Sequence, residues 1–145
     1  MIDFSQQSKF FMNYSMVHTS IFKKIDNQLS IHGINFSEFM IMFHLAHAPE
    51  KKMRRIDLAE KIGLSASGIT RLVAPMEKIG LVHKEANKRD ARVSLVKLSV
   101  SGEIILKESS VSLDMTAKGI LSGLKDLNIT EMINTLKQLG GNIDY

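Results

Sequence analysis

Three glycines, Gly33, Gly63 and Gly80, each close a run of residues whose apolar side chains recur every three or four positions. A glycine just past such a run is a common helix end, because it takes a left-handed backbone without strain. The chain therefore reads as several helices of limited length, cut at set places. The first run covers residues 5–32, where Phe11, Tyr14, His18, Ile21, Ile25 and Gln28 keep helical spacing beside Phe10, Val17 and Leu29. This predicts a long amphipathic helix. Ser37 is expected to cap a second helix over 38–48, ended by Pro49, with Phe39, Met40 and Phe43 on its apolar face. A short third helix fits 56–62, with Leu58, Ala59 and Ile62 turned inward. Ser65 caps a fourth over 66–79, where Ile69, Leu72, Val73 and Met76 share one face.

Beyond Gly80 the pattern changes to short strands, 81–86 and 93–99, joined by the polar turn Asn87-Lys88-Arg89-Asp90. Ser101 is expected to open a fifth helix running to about residue 124, weakened at its end by Gly119 and Gly123. Thr130 caps a last helix, with Glu131 in its first turn, over 130–139. The fold class is mainly α with a small β-hairpin, which is the α+β order of a winged helix-turn-helix.

Charge divides the same way. From Lys51 to Lys97 there are 12 Lys and Arg against 5 Asp and Glu, while the rest of the chain holds 7 against 10. A basic middle between mildly acidic ends favours a polyanionic partner. There are no cysteines, which excludes disulfides, thiol redox sensing and Cys-ligated zinc. No stretch approaches the roughly 18 apolar residues of a membrane span. The N-terminus lacks the pattern of a secretory signal, so a cytoplasmic location is the default expectation. No nucleophile–base pair, phosphate-binding glycine loop or catalytic carboxylate pair is found, so no enzymatic role and no cofactor are expected.

The short helices around Gly63-Leu64-Ser65 read as a helix-turn-helix. On the second of them, Ser67, Thr70, Arg71 and Ala74 lie opposite the apolar face, small, polar or basic, with no acid among them. A helix entering a DNA major groove needs small residues for close approach, with hydroxyls and an arginine for base edges or phosphates. Its N-terminus, Ser65-Ala66-Ser67, also offers backbone N–H groups to a phosphate. The hairpin adds Lys88, Arg89 and Arg92, and guanidinium groups suit the negative potential of a minor groove. Asp90, two residues before Arg92, can hold that arginine and fix the turn.

Taken together, Leu58 to Glu103 resembles the core of the MarR (multiple antibiotic resistance regulator) family. The resemblance rests on Leu-Ala-Glu, Thr-Arg-Leu-Val, the Gly-Leu-Val strand, the Arg-Asp-x-Arg wing of Arg89, Asp90 and Arg92, the Val-x-Leu-Ser strand end, and Gly102. It implies one domain, with 37–100 as the DNA-binding region and 5–36 and 101–145 as dimerisation helices. It further implies a homodimer that binds a pseudo-palindromic duplex operator, usually as a repressor. Many relatives are released from DNA by a small, often aromatic and anionic, effector. By position, Ser65, Ser67, Thr70 and Arg71 would meet the major groove, Arg89 and Arg92 would serve the wing, and Asp90 would orient it. Two positions depart from the pattern. Ala91 stands where some members carry another arginine, and Pro75 lies inside the fourth helix, where it should produce a kink.

The remaining residues invite sharper and plainer readings. The 9 methionines could sense oxidation, but they suit adaptable core packing better. His44 and His47, three apart, could share a metal, as in a metal-responsive regulator; the fifth helix offers Glu103, Glu108 and Asp114 but no histidine to complete such a site, and no metal site is assigned. Tyr14, His18 and His44 could instead line an effector pocket. A winged helix used for protein interaction, without DNA, is the rival from another class.

Overall fold

The structure is a computed structural model, and it describes residues 1–143. The described residues form six α-helices and three strands. They are α1 (Gln6–Leu29), α2 (Phe36–His47), β1 (Lys52–Arg54), α3 (Arg55–Ile62), α4 (Ala66–Lys78), β2 (Val82–Ala86), β3 (Ser94–Leu98), α5 (Val100–Leu121) and α6 (Ile129–Gln138). Helix order and the winged helix-turn-helix class follow the sequence expectation.

Three helix starts lie two residues earlier than expected. Helix α2 is capped by Asn35, not Ser37: Asn35 Oδ1 accepts the Glu38 N–H and Glu38 Oε2 accepts the Asn35 N–H, both at 2.9 Å. This reciprocal box leaves no work for Ser37. Asp26 of α1 adds a third acceptor, taking the Phe36 N–H at 2.7 Å. Ser99 rather than Ser101 caps α5, and Asn128 rather than Thr130 caps α6. Helix α5 stops at Leu121, before both Gly123 and the expected end near residue 124. Helix α4 continues through Pro75 to Lys78. Pro75 is exposed, where water can serve the Arg71 carbonyl that lacks an N–H partner.

The expected hairpin is part of a three-stranded antiparallel sheet in the order β1-β3-β2. The turn between β2 and β3 pairs Val82 with Leu98 and Ala86 with Ser94. Strand β1 adds to the other edge of β3, with Lys52 opposite Lys97 and Arg54 opposite Leu95. The core lies where this sheet meets α2, α3 and α4, around Leu45, Leu58, Ile69, Val73, Met76 and Val96, all fully buried. Each such side chain contributes about 1.5–3 kcal/mol relative to exposure. Helix α2 is buried over most of its circumference: Ile41, Met42, His44 and Leu45 join Phe39, whereas Met40 and Phe43 are only partly covered.

The chain ends behave differently. Helix α1 buries only Ile25 and Leu29, and its expected apolar face at Phe11, Tyr14 and His18 is exposed in the protomer. Helix α6 buries no residue, with Met132, Ile133 and Leu136 uncovered.

One junction ties the sheet lobe to α5. Ser99 Oγ lies 2.5 Å from the Gly80 carbonyl oxygen and 2.9 Å from that of Leu81, and accepts the Gly102 N–H at 3.0 Å. Gly102 is buried directly against Leu81; a Cβ there would overlap the Leu81 carbonyl oxygen and come within 2.6 Å of Leu98 Cδ1. Backbone cannot yield as a side-chain tip can. Gly102→Ala should therefore cost about 1–3 kcal/mol, read as a lower urea midpoint. An unchanged midpoint would show that α5 does not depend on this close approach.

Candidate nucleic-acid interface

The helix-turn-helix is built by local backbone chemistry. Gly63 ends α3 in the left-handed region at φ 75°. The N–H groups of Gly63 and Leu64 both return to the Ala59 carbonyl at 2.9 Å. Ser65 Oγ then accepts the Gly68 N–H at 3.1 Å and starts α4. The Ala66 and Ser67 N–H groups ahead of it precede the first intrahelical bond and have no acceptor within the helix. Ile69, Val73 and Met76 are fully buried. Opposite them Ser65, Ser67, Thr70, Arg71 and Ala74 are all exposed. The Thr70 hydroxyl donates to the Ala66 carbonyl at 3.1 Å, which leaves its oxygen free to accept.

At the wing tip Lys88, Arg89, Asp90 and Arg92 are likewise exposed. Two short side chains shape it. Asn87 Oδ1 accepts the Arg89 N–H and Asp90 Oδ1 accepts the Arg92 N–H, each at 3.0 Å. Asp90 thus holds the turn through the backbone N–H of Arg92.

Three of the five acidic residues of the basic segment, Asp57, Glu77 and Glu85, are engaged by cations away from this surface. Glu85 takes Lys52 at 2.8 Å and Lys97 at 3.1 Å. Asp57 takes Arg54 at 2.7 Å, and Glu77 faces Arg55 at 3.8 Å. Lys51 reaches Glu103 at 2.6 Å. Among the described residues, Arg71, Lys88, Arg89 and Arg92 form no ion pair. The cations left unneutralised include all those of the α4 face and the wing tip. Sequence reasoning did not find the partners Arg55–Glu77 and Lys52–Glu85, because each joins positions distant in the chain.

The three residues considered for an effector pocket are not brought together. Tyr14 and His18 are neighbours on α1, ring centroids 6.1 Å apart. Tyr14 lines a cleft of about 440 Å³ with Phe10, Phe11, Leu136 and Leu139. His44 lines a different cleft, about 550 Å³, with Met53, Arg54, Asp57, Lys61 and Leu95. His44 is 3% exposed and its Nε2 has no hydrogen-bond partner. Burial, then the fields of Lys61 and His47, hold its pKa below the usual imidazole value. Among the described residues no three His, Asp or Glu side chains cluster as metal ligands, and no helix is long and apolar enough to cross a membrane.

The fold and this surface define a winged helix-turn-helix with an exposed, unpaired cationic face. Residues 34–94, from the start of α2 into β3, match the model of the MarR family. Solved structures agree in fold. The MarR family transcriptional regulator Sco3205 from Streptomyces coelicolor, in complex with DNA, is 19% identical, with TM-score 0.82, covering 96% of this chain and 86% of its own. A cysteine-to-serine mutant of MarR from E. coli, complexed with operator DNA, is 18% identical, with TM-score 0.81 and coverages of 91% and 94%. The organohalide-sensing regulator RdhR-CbdbA1625, in its 2,4-dichlorophenol-bound form, is 19% identical, with TM-score 0.83 and coverages of 94% and 80%.

The Glu85 pairings make a pH test of wing anchorage. Hydrogen bonds from Lys52 and then Lys97 hold the Glu85 carboxyl down to about 2, from an ordinary 4.5. A depressed carboxylate pKa stabilises the fold above the unfolded value and loses that contribution as pH falls through the folded one. Glu85→Gln should therefore lower the thermal midpoint at pH 7, and the difference from wild type should shrink between pH 4.5 and 2. A gap that persists at pH 2 would assign the loss to packing instead.

Proposed function

We propose that this protein is a sequence-specific transcription regulator of duplex DNA, acting as a homodimeric repressor on a pseudo-palindromic operator. The observation that carries this reading is the distribution of unpaired cations. Solvated charge that serves no partner is commonly balanced by nearby acids, whereas Arg71, Lys88, Arg89 and Arg92 are left bare while acids behind them are engaged. A protein-interaction module gives no reason for this partition; phosphate neutralisation does.

In this reading Ser65, Ser67, Thr70 and Arg71 enter the major groove, with the N-terminus of α4 on a phosphate. Lys88, Arg89 and Arg92 follow the adjacent backbone or minor groove, and Asp90 sets the turn that presents Arg92. Segments 5–36 and 101–145 form the dimer, which covers Phe10, Phe11, Val17, Ile133 and Leu136, all exposed in the protomer. Two-fold symmetry then sets two α4 helices about 34–36 Å apart, one turn of DNA. A small-molecule effector fits the cleft at His44, whose volume of about 550 Å³ is in the range of ligand sites. The structure of RdhR-CbdbA1625 with 2,4-dichlorophenol supports that part by analogy. In this proposal Tyr14 and His18 belong to the dimer face.

Binding-site selection from random duplexes supplies the operator. Against it, Arg71→Ala and Arg92→Ala should each cost roughly 1–3 kcal/mol in specific affinity by gel shift. Log affinity should fall linearly with log salt, with a slope of about −0.9 per phosphate neutralised. A flat salt plot, or unchanged affinity in both variants, contradicts the assignment. Leu136→Asp should shift the sedimentation profile from dimer to monomer; a wild-type chain that sediments as a monomer at micromolar concentration rules out the dimer.

A further inference from the structure

We infer that Arg55 is a positioning residue that locks the wing to the recognition helix, without itself touching DNA. Arg55 opens α3, and its fork spans two other elements. Nη1 donates to Ser94 Oγ at 2.7 Å, at the start of β3. Nη2 lies 3.8 Å from Glu77 Oε1, in the last turn of α4. The Arg55 and Glu77 side chains are only 20% and 26% exposed, in contrast to the open Arg71 and Arg92. Among the described residues no other ion pair or side-chain hydrogen bond reaches from the helix-turn-helix to β3. Arg54–Asp57 stays within three residues, and the Lys52–Glu85–Lys97 group stays within the sheet.

The geometry gives the tie its leverage. The ascending side of the wing is already fixed to α4, because Leu81 donates to the Met76 carbonyl at 2.9 Å. The descending side carries Arg92, two residues before Ser94. Its direction relative to α4 is set by β3 pairing and by the Arg55 fork. Arg55 Nε and Glu77 Oε1 are buried with no hydrogen-bond partner. The pair is thus held by charge and by Ser94 rather than by a closed set of hydrogen bonds. Such a joint is weaker than a saturated one, and small shifts of α3 pass to both reading elements. A guanidinium can do this because its donors are fixed in one plane; an ammonium is a single point charge.

This inference rests on the DNA-binding reading for its consequence, but not for its first measurement. In the full-length protein without DNA, Arg55→Ala should raise the fast backbone mobility of residues 87–92 by NMR relaxation, with α4 amides unchanged. On the selected operator it should weaken specific binding about tenfold and leave the salt slope at the wild-type value. Arg92→Ala should flatten that slope by about one. The two substitutions should also be non-additive: Arg92→Ala should cost less once Arg55 is gone. Arg55→Lys should restore only part of the affinity. Should Arg55→Ala fail to fold, Ser94→Ala removes the hydroxyl acceptor alone and should loosen the same residues. A rigid wing in both variants, or strict additivity of Arg55→Ala with Arg92→Ala, overturns the proposal. A salt slope flattened by Arg55→Ala itself would make it a phosphate contact and overturn it too. If wild type binds no duplex in a salt-dependent way, the regulator reading fails, while the relaxation result still decides the tie.

Discussion

The close approach of Gly102 to Leu81 governs the rest of the molecule. At that point the end of α4, the start of β2, the end of β3 and the first turn of α5 meet within hydrogen-bonding range of one hydroxyl, Ser99 Oγ. A side chain at 102 would push α5 away from the sheet lobe. Without this contact the wing would have two ends leaving toward different neighbours. The junction is short-range and mostly backbone, so it transmits position rather than merely adding stability. The surface formed by α4 and the wing is in this sense a property of a buried joint on its far side.

Electrostatics then divides the basic segment into two populations. Lys52, Arg54, Arg55 and Lys97, near the sheet and α3, are paired with Glu85, Asp57 and Glu77. Those on the exposed face of α4 and at the wing tip are not. The first group holds elements together at partial burial, where charge-assisted bonds are worth more than on open surface. The second group remains available to neutralise phosphate. The sum of charges over the segment would be the same if acids were scattered among all its cations, but a polyanion would then meet a much weaker field.

Much of this was legible in the sequence, and the errors have a common physical origin. Helix order, the glycine stops and the exposed faces of α4 and the hairpin follow from periodicity, which is local. The caps at Ser37, Ser101 and Thr130 were misplaced because each start carries two cap-capable residues two positions apart. At α2 the choice falls to Asn35 because Glu38 sits at the third helical position and closes the box. At α5 it falls to Ser99 because its hydroxyl also lies beside Gly80 and Leu81, residues far back in the chain. Strand β1 went unseen because three residues, Lys52-Met53-Arg54, carry too little alternation, and their partner β3 lies more than forty positions on. Arg55 looks like one more cation of a basic stretch; only the fold shows that it faces Ser94 and Glu77. Likewise Tyr14 and His44 share an aromatic, helical context in sequence yet line separate clefts.

The two ends of the chain raise a different question of stability. Helix α6 has 10 residues and buries none of them. An isolated helix below about 12–15 residues is marginal in water even when its composition is favourable. Capping by Asn128 and Glu131 in the first turn helps by no more than a few kcal/mol. Its apolar side, with Met132, Ile133 and Leu136, is only about half covered, Leu136 sharing a cleft with Phe10 and Phe11 of α1. The N-terminal half of α1 presents the same problem with Phe10, Phe11 and Val17. Two amphipathic helices left half covered within the protomer can complete their burial against a second copy across a two-fold axis. Under the proposed dimer, folding of the ends is then inseparable from association, and apparent stability rises with protomer concentration. The same cover would set the spacing of the two α4 helices through α5, whose first turn is already pinned at Gly102. The joint at one end of α5 and the apolar surface near its other end would thus act on a single rigid element. That is how a change at the dimer face could reach Arg71 and Arg92 without any contact to them.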